Sequence, residues 1–249
     1  MVVSSPMHLL TRKLASRTVL SDEDQSAILA LPYTARTYDA PAYLVREGEP
    51  PRRFCSFVIS GYAYRQKLTA QGTRQIMAIH MPGDILDLQH LFLKQSDHNV
   101  QALTRLETAD IDRESLRELA LARPAIGEAL WVDALVDASI LREWVLNVGR
   151  RDARSRIAHL LCEFAVRMEA IGLDVANGYD LPMTQEQLGD ATGLTSVHVN
   201  RTLKTLVADG LMHRQGRFLT FNDWQRLRSV ADFNALYLHT DQAKPLVGS

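Results

Sequence analysis

A change of period restricts this chain more than any other feature. Between about Ala35 and Thr108, turn signals recur roughly every ten residues, at Glu47-Gly48, Ser60-Gly61, Gln71-Gly72 and Pro82-Gly83-Asp84. The runs between them, FCSFVIS, YAYRQKL and RQIMAIHM, are apolar or alternating. Closely spaced turns around such runs predict an antiparallel sandwich or barrel. Strands do not alternate with helices there, which argues against a doubly wound sheet. From Pro124 to about Val148 the period is helical, and proline suits a first helical turn. Leu130, Ala134, Leu141, Val145 and Val148 recur at threes and fours, with Ala138 and Trp144 beside them; Trp131, Leu135, Val136 and Ile140 fall mostly on other faces. A helix apolar over so wide an arc must bury more than one side. One side is expected to cover the β-segment. The other is expected to pair with a second copy of itself, against the plainer alternative of a helix buried in a monomer.

The length, 249 residues, admits one large domain or two modest ones. Lys plus Arg number 28 and Asp plus Glu 29, a net charge of −1. No global field therefore draws the chain to nucleic acid or to an anionic membrane, and any such contact must be local. No apolar run approaches the ~18 residues of a membrane span, so no membrane partner is expected. The opening MVVSSPMHLLTRKLASR lacks the apolar core of a secretory signal. Cys55 and Cys162 form no C-x-x-C, which argues against a disulfide framework, a zinc ribbon or a cysteine-ligated iron–sulfur cluster. A bacterial-type cytosol is the expected, cytoplasmic location. The first stretch, to about residue 20, reads as a loose arm. Ser21 and Asp24 then form a capping box for a short helix through about Leu31, which Pro32 ends.

Beyond Arg150-Arg151, Asp152 can cap a helix from about Ala153 to Ala170, with Ile157, Leu160, Leu161, Phe164 and Met168 at helical spacing and Gly172 at its end. The most informative stretch follows: LPMTQEQLGDATGLTSVHVNRTLKTLVADGLMHRQGRFLTF. Thr184 and Gln187 make a capping box for a first short helix with Leu188 and Ala191 inside. Gly193 permits a left-handed corner. Thr195 caps a second helix over roughly Ser196–Ala208, with Val199, Leu203 and Leu206 inward and Ser196, Val197, Asn200, Arg201 and Lys204 outward. Asp209-Gly210 stops it, and LMHRQGRFLTF reads as a hairpin wing around Gln215-Gly216 carrying His213, Arg214 and Arg217. Two short helices about a glycine turn make a helix-turn-helix. Over 184–217 the bases Arg201, Lys204, Arg214 and Arg217 barely outnumber Glu186, Asp190 and Asp209. The arrangement matters more than the total. Arg201 and Lys204 share one outward face, which can enter a major groove and offer donors to base edges and phosphates. The plainer alternative is a solvated helical hairpin.

Taken in order, these elements resemble the cyclic-AMP receptor protein/fumarate-nitrate regulator (Crp/Fnr) family of transcriptional regulators over about residues 35–222. The matching stretches are FVISGYAYR, MPGDILDL, RRDARSRIAHLL and, most specifically, LGDATGLTSVHVNRTLKTLVADGLM. The resemblance implies an α+β fold: an arm and short helix over 1–34, an antiparallel β-roll sensor domain over 35–123, a dimerisation helix over 124–150, and a winged helix-turn-helix DNA-binding domain with a C-terminal helix over 151–249. It implies a homodimer on near-palindromic double-stranded DNA, with RNA polymerase as a partner. The positions that touch bases in this family fall on Ser196, Val197, Asn200 and Arg201, and His198 and Thr184 fall where the DNA backbone is met. Thr195, Lys204 and Arg217 complete the expected DNA-binding set. Arg201 matches the family pattern. Val197 departs from it, because a glutamate commonly stands there to accept from cytosine. Valine cannot accept a hydrogen bond but can contact a thymine methyl, so the preferred half-site should differ.

The ligand site departs further. Cyclic-nucleotide binders of the family carry a Gly-Glu pair after the Gly-Asp turn and an Arg-Ser pair about ten residues later. Here the first pair is Asp87-Leu88, the later segment is Ser96-Asp97-His98-Asn99-Val100, and no arginine occurs between Arg74 and Arg105. A cyclic phosphate needs a cation, and a lone carboxylate repels it. The chain is therefore expected not to bind cAMP or cGMP in the usual pose. Asp87, Leu88, His98 and Asn99 are the candidate lining for an unknown effector, and no cofactor is predicted. Oxygen-sensing members hold an iron–sulfur cluster on several N-terminal cysteines, and residues 1–54 contain none. His80, His90 and His98 with Asp87 are a weak metal or haem constellation, better read as surface or hydrogen-bonded histidines. Cys55 beside Phe54 and Phe57 reads as core rather than redox switch. The tail WQRLRSVADFNALYLH places Trp224, Leu227, Val230, Phe233 and Leu236 at helical spacing. No G-x-S-x-G, H-E-x-x-H, phosphate-loop or paired-carboxylate motif is present, so the chain is not expected to be an enzyme. The rival reading is a ligand-sensing or scaffold protein whose helix-turn-helix contacts protein rather than DNA.

Overall fold

In the computed structural model, which describes residues Ser5–Thr240, the turn-punctuated segment is a set of short strands: β1 (Tyr33–Tyr38), β2 (Tyr43–Val45), β3 (Phe54–Ser60), β4 (Ala63–Leu68), β5 (Arg74–His80), β6 (Asn99–Ala102) and β7 (Leu106–Asp112). They form two sheets, ordered β1-β7-β3 and β2-β6-β4-β5. The β1–β7, β3–β7, β2–β6 and β4–β6 pairings are antiparallel, and Ile111 of β7 lies opposite both Tyr33 and Cys55. One apolar cluster gathers Leu44, Val45, Val58, Ala63, Leu86, Val100, Ala102 and Leu106.

A second cluster joins strands to helices α1 (Met7–Arg17), α2 (Asp22–Leu29), α3 (Arg113–Ala122) and the start of α4 (Pro124–Arg150). Phe57 and Ile111 meet Leu10 and Leu14 of α1, Ile28 of α2, Leu116 of α3 and Ile126 and Leu130 of α4 there. The Ser21–Asp24 capping box forms as read from the sequence. The loose arm does not. Residues 7–17 are helical, with Met7, Leu10 and Leu14 buried, because sheet and helices supply the apolar partner that this basic segment lacks by itself.

Helix α4 carries two apolar stripes, phased differently from the sequence reading. Ile126, Ala129, Leu130, Val136, Ile140 and Trp144 are buried, while Trp131, Leu135, Leu141, Val145 and Leu146 are exposed. Leu130 lies on the buried stripe and Leu141 and Val145 on the exposed one, because an arc this wide leaves the phase open until the neighbours are known.

By contacts the chain divides into two compact units. One holds the described residues through Gln66 with Ile79–Ala138 and with His239 and Thr240, and the other holds Lys67–Ala78 with Ser139–Leu238. In the second, Asp152 caps α5 (Ala153–Ala170) by accepting from the Ser155 N–H at 2.8 Å. Then come β8 (Tyr179–Asp180), α6 (Gln185–Thr192), α7 (Ser196–Ala208), β9 (Met212–Gln215), β10 (Phe218–Phe221) and α8 (Trp224–Val230). The wing is a three-stranded sheet, β8-β10-β9. The tail helix expected from spacing stops at Val230. A separate 3-10 turn follows at Ala235–Leu238, and Leu236 is exposed where Tyr237 and Leu238 are buried.

Candidate nucleic-acid interface

The turn between α6 and α7 is fixed by local chemistry. Thr184 Oγ1 accepts from the Gln187 N–H at 3.2 Å, and Gln187 Oε1 accepts from the Thr184 N–H at 2.8 Å. Gly193 closes α6 at φ 68°, in the left-handed region where a side chain is strained. Gly189, inside α6, lies against the backbone of the loop: a Cβ there would stand 2.4 Å from the Leu194 carbonyl oxygen. Thr195 Oγ1 then accepts from the His198 N–H at 3.3 Å and starts α7.

Helix α7 divides as its period requires. Val199, Leu203 and Leu206 are buried. Ser196, Val197, Arg201 and Lys204 are exposed, with His198 and Asn200 half-buried. Thr184 and Thr195, at the two helix starts, and Arg217, in the wing turn, are exposed as well. The structure thus sets Ser196, Val197, Asn200, Arg201 and Lys204 along one stripe of one helix, with Thr184 and Arg217 on separate elements of the same unit.

The charges are sorted. Within this unit Arg74 Nε sits 2.6 Å from Asp190 and its Nη2 3.4 Å from Glu186, and Arg154 pairs with Asp209. All three acids counted against the basic face therefore have cationic partners. Among the described residues Arg201, Lys204 and Arg217 make no ion pair and no side-chain hydrogen bond. Arg154 and Arg74 were absent from the sequence-derived set. Arg154 lies next to an α5 cap that was legible, and it lines a cleft of about 410 Å³ with His198, Arg201 and Thr205. Arg74 meets α6 across more than a hundred residues of chain, a pairing without a local signal.

The candidate effector residues are placed differently. Asp87 is fully buried, and its Oδ1 accepts from the Ser56 N–H at 2.9 Å. Burial pushes its carboxyl up to about 7, opposed by the Ser56 N–H and by Arg52, with Asp110 pushing the same way as burial. Asp110 takes Ser56 Oγ at 2.7 Å, Thr108 Oγ1 at 2.9 Å and Arg36 Nε at 2.9 Å. Leu88 opens the 3-10 turn Leu88–Leu91 and packs against the first unit's helix-facing core. His98 is buried with Nδ1 2.7 Å from Asp97, and burial lowers its pKa. Asn99 Oδ1 accepts from the Glu47 N–H at 3.1 Å. His90 is buried with both ring nitrogens unbonded, and burial, His98 and the arginines Arg52 and Arg113 hold it down to about 4. Among the described residues no group of three or more His, Cys, Asp or Glu is arranged to hold a metal, and no helix is long and apolar enough to cross a membrane. Burial raises both thiols, Cys162 to about 12.

Comparison with known proteins finds two family matches along the chain. Residues 35–123 match the cyclic nucleotide-binding domain and residues 155–230 the Crp-like helix-turn-helix domain. The transcriptional activator protein FnrL of Cereibacter sphaeroides is 30% identical over 214 residues, 84% of this chain and 85% of that protein. The anaerobic regulatory protein of Haemophilus influenzae is 25% identical over 70% of this chain and 68% of its own. The structure of FixK2 from Bradyrhizobium japonicum superposes with a TM-score of 0.74 at 28% identity, covering 80% of this chain and 98% of that one. With an unspent basic stripe on the second helix of its winged helix-turn-helix, a β-domain ahead of it and relatives of this kind, the chain belongs to the Crp/Fnr family of transcriptional regulators, which bind DNA through that motif and are not enzymes.

Proposed function

We propose that the protein works as a homodimer whose two α7 helices enter successive major grooves of a near-palindromic site, about 34 Å apart, with RNA polymerase as the partner of the DNA-bound form. The observation that carries the DNA reading is the polar stripe of α7, whose cations have no ion-pair partner among the described residues while each acidic neighbour already has a cationic one. The exposed apolar stripe of α4, with Trp131 at 64%, Leu135 at 60% and Val145 at 66% exposure, supports pairing of two copies along that helix. Arg201 is the main base-reading residue, and Val197, 78% exposed, favours a thymine methyl at its position. Thr184, Thr195, His198, Lys204 and Arg217 hold phosphates.

In the β-domain we infer that neither cAMP nor cGMP is held in the usual pose. Arg52, the cation nearest Asp87, is engaged by Ser56 Oγ at 3.0 Å, Tyr38 OH at 3.2 Å and Asp110 at 3.4 Å, which leaves a phosphate facing carboxylates. Asp87, Leu88, His98 and Asn99 remain the proposed lining for a different effector. Such an effector would act by its unequal affinity for two arrangements of the DNA-reading pair.

Sedimentation together with fluorescence anisotropy on a genomically selected duplex tests the first part. The expected result is a dimer whose affinity falls steeply with salt through counterion release. Material that ignores duplexes of every sequence at low salt overturns it. Calorimetric titration tests the second part, and micromolar cAMP binding would defeat it.

A further inference from the structure

The match to the family's helix-turn-helix ends at residue 230, and the next segment folds back onto the junction of α4 and α5. Helix α8 stops as the Phe233 N–H bonds to the Arg228 carbonyl at 3.0 Å and Asp232 turns into the left-handed region at φ 48°. Phe233, Tyr237 and Leu238 are then buried. The His159 ring of α5 forms a three-ring cluster with the two aromatics, 5.2 Å edge-on from Phe233 and 5.8 Å stacked on Tyr237, which are 6.2 Å from each other.

The polar contacts give this docking a direction. Glu163 of α5 is 1% exposed and accepts from three elements: Trp144 Nε1 of α4 at 3.0 Å, Tyr237 OH of the tail at 2.8 Å, and Arg167 of α5 at 3.4 Å. A second tie runs through Arg151, at the α4 terminus, whose Nη2 lies 2.7 Å from Glu143 Oε1 and 3.1 Å from the Asp232 carbonyl oxygen. Ser155 Oγ donates to the Val230 carbonyl at 2.9 Å. A buried carboxylate is tolerated only while its donors stay in place, so Trp144 holds α4, and Tyr237 holds the tail, to α5. Helix α5 in turn packs on α6 and α7.

We propose that residues 231–238 are a strap that welds the last turns of α4, residues 139–150, to α5, with Glu163 and Tyr237 as positioning residues that fix α7 relative to the exposed stripe at Val145. The break at Arg151–Asp152 is then a rigid corner rather than a hinge. The consequence for DNA rests on the dimer reading above, but the weld itself does not.

Hydrogen exchange on the full chain without DNA tests the weld. In Tyr237→Ala, the amides of 139–150 should lose protection by at least about tenfold while those of α6 and α7 keep theirs. Tyr237→Phe, which retains the ring, should show a smaller loss confined to the same residues. Unchanged protection at 139–150, or a loss spread evenly over α5, α6 and α7, overturns the proposal. On DNA, the wild type should prefer one half-site spacing sharply. Tyr237→Phe should tolerate one base pair more or less while keeping its base preference within each half-site. An unchanged spacing profile removes the positioning role. A wild type that binds no duplex removes the DNA reading instead and leaves the exchange result to decide the weld.

Discussion

On α7, Arg201 and Lys204 face solvent with no acidic partner among the described residues, whereas in the β-domain Arg52 is shared among Ser56, Tyr38 and Asp110. The residue types are similar and the states are opposite. A surface meant for a polyanion must keep its donors unspent, since a cation already paired with a carboxylate gains little from a phosphate. Around Asp87 the donors serve folding. Cations count toward binding only after their internal partners are subtracted.

Truncating one residue on each face of α7 separates the buried stripe from the exposed one. Leu206→Ala, at a fully buried site, should cost about 2–5 kcal/mol of stability, whereas Val197→Ala should stay within about 0.5 kcal/mol. Equal melting temperatures for the two variants would show that α7 does not bury the face described.

The next test addresses the buried carboxylate. Asp87 has its carboxyl raised from 3.8 to about 7, so between those values the folded chain holds a proton that the unfolded chain has released. Stability from this group is therefore greatest below the lower value and declines as pH rises through the window, by about 1–4 kcal/mol in all. Asp87→Asn should remove that decline, seen as the difference between the two variants' denaturant midpoints across pH. Parallel curves would mean that Asp87 is hydrated and ionised like a surface acid.

Smaller effects probe the outer stripe. Arg201→Ala should weaken specific binding by about 1–3 kcal/mol and relax base choice at one position without lowering the melting temperature. An unchanged footprint would remove Arg201 from the interface. Lys204→Gln should weaken all sequences alike and make the salt slope shallower by about 1.

What the sequence revealed follows from how local each cause is. Thr184, Gln187, Gly193 and Thr195 act within a few residues, so both helices of the motif and their caps were legible, as was the stripe of α7. The strands between glycine turns were legible for the same reason. Helix α1 was not, because Leu10 and Leu14 become core only when Phe57 and Ile111 arrive from elsewhere in the chain. The tail misled because Phe233 and Leu236 keep helical spacing, yet His159 and Glu163 hold Phe233 and Tyr237 in a different arrangement and leave Leu236 exposed. The burial of Asp87 depends on Ser56 and Asp110 from other strands, and no spacing rule announces it.

Gly189 sets how closely the two helices of the motif approach. Its α-carbon meets the Leu194 carbonyl so closely that main chain touches main chain, with no side chain between to act as a spacer. The crossing of the two short helices is thus set by a van der Waals contact between backbones. Neighbouring core residues can drift in size without retuning it, and even a single methyl added there would pry the motif open.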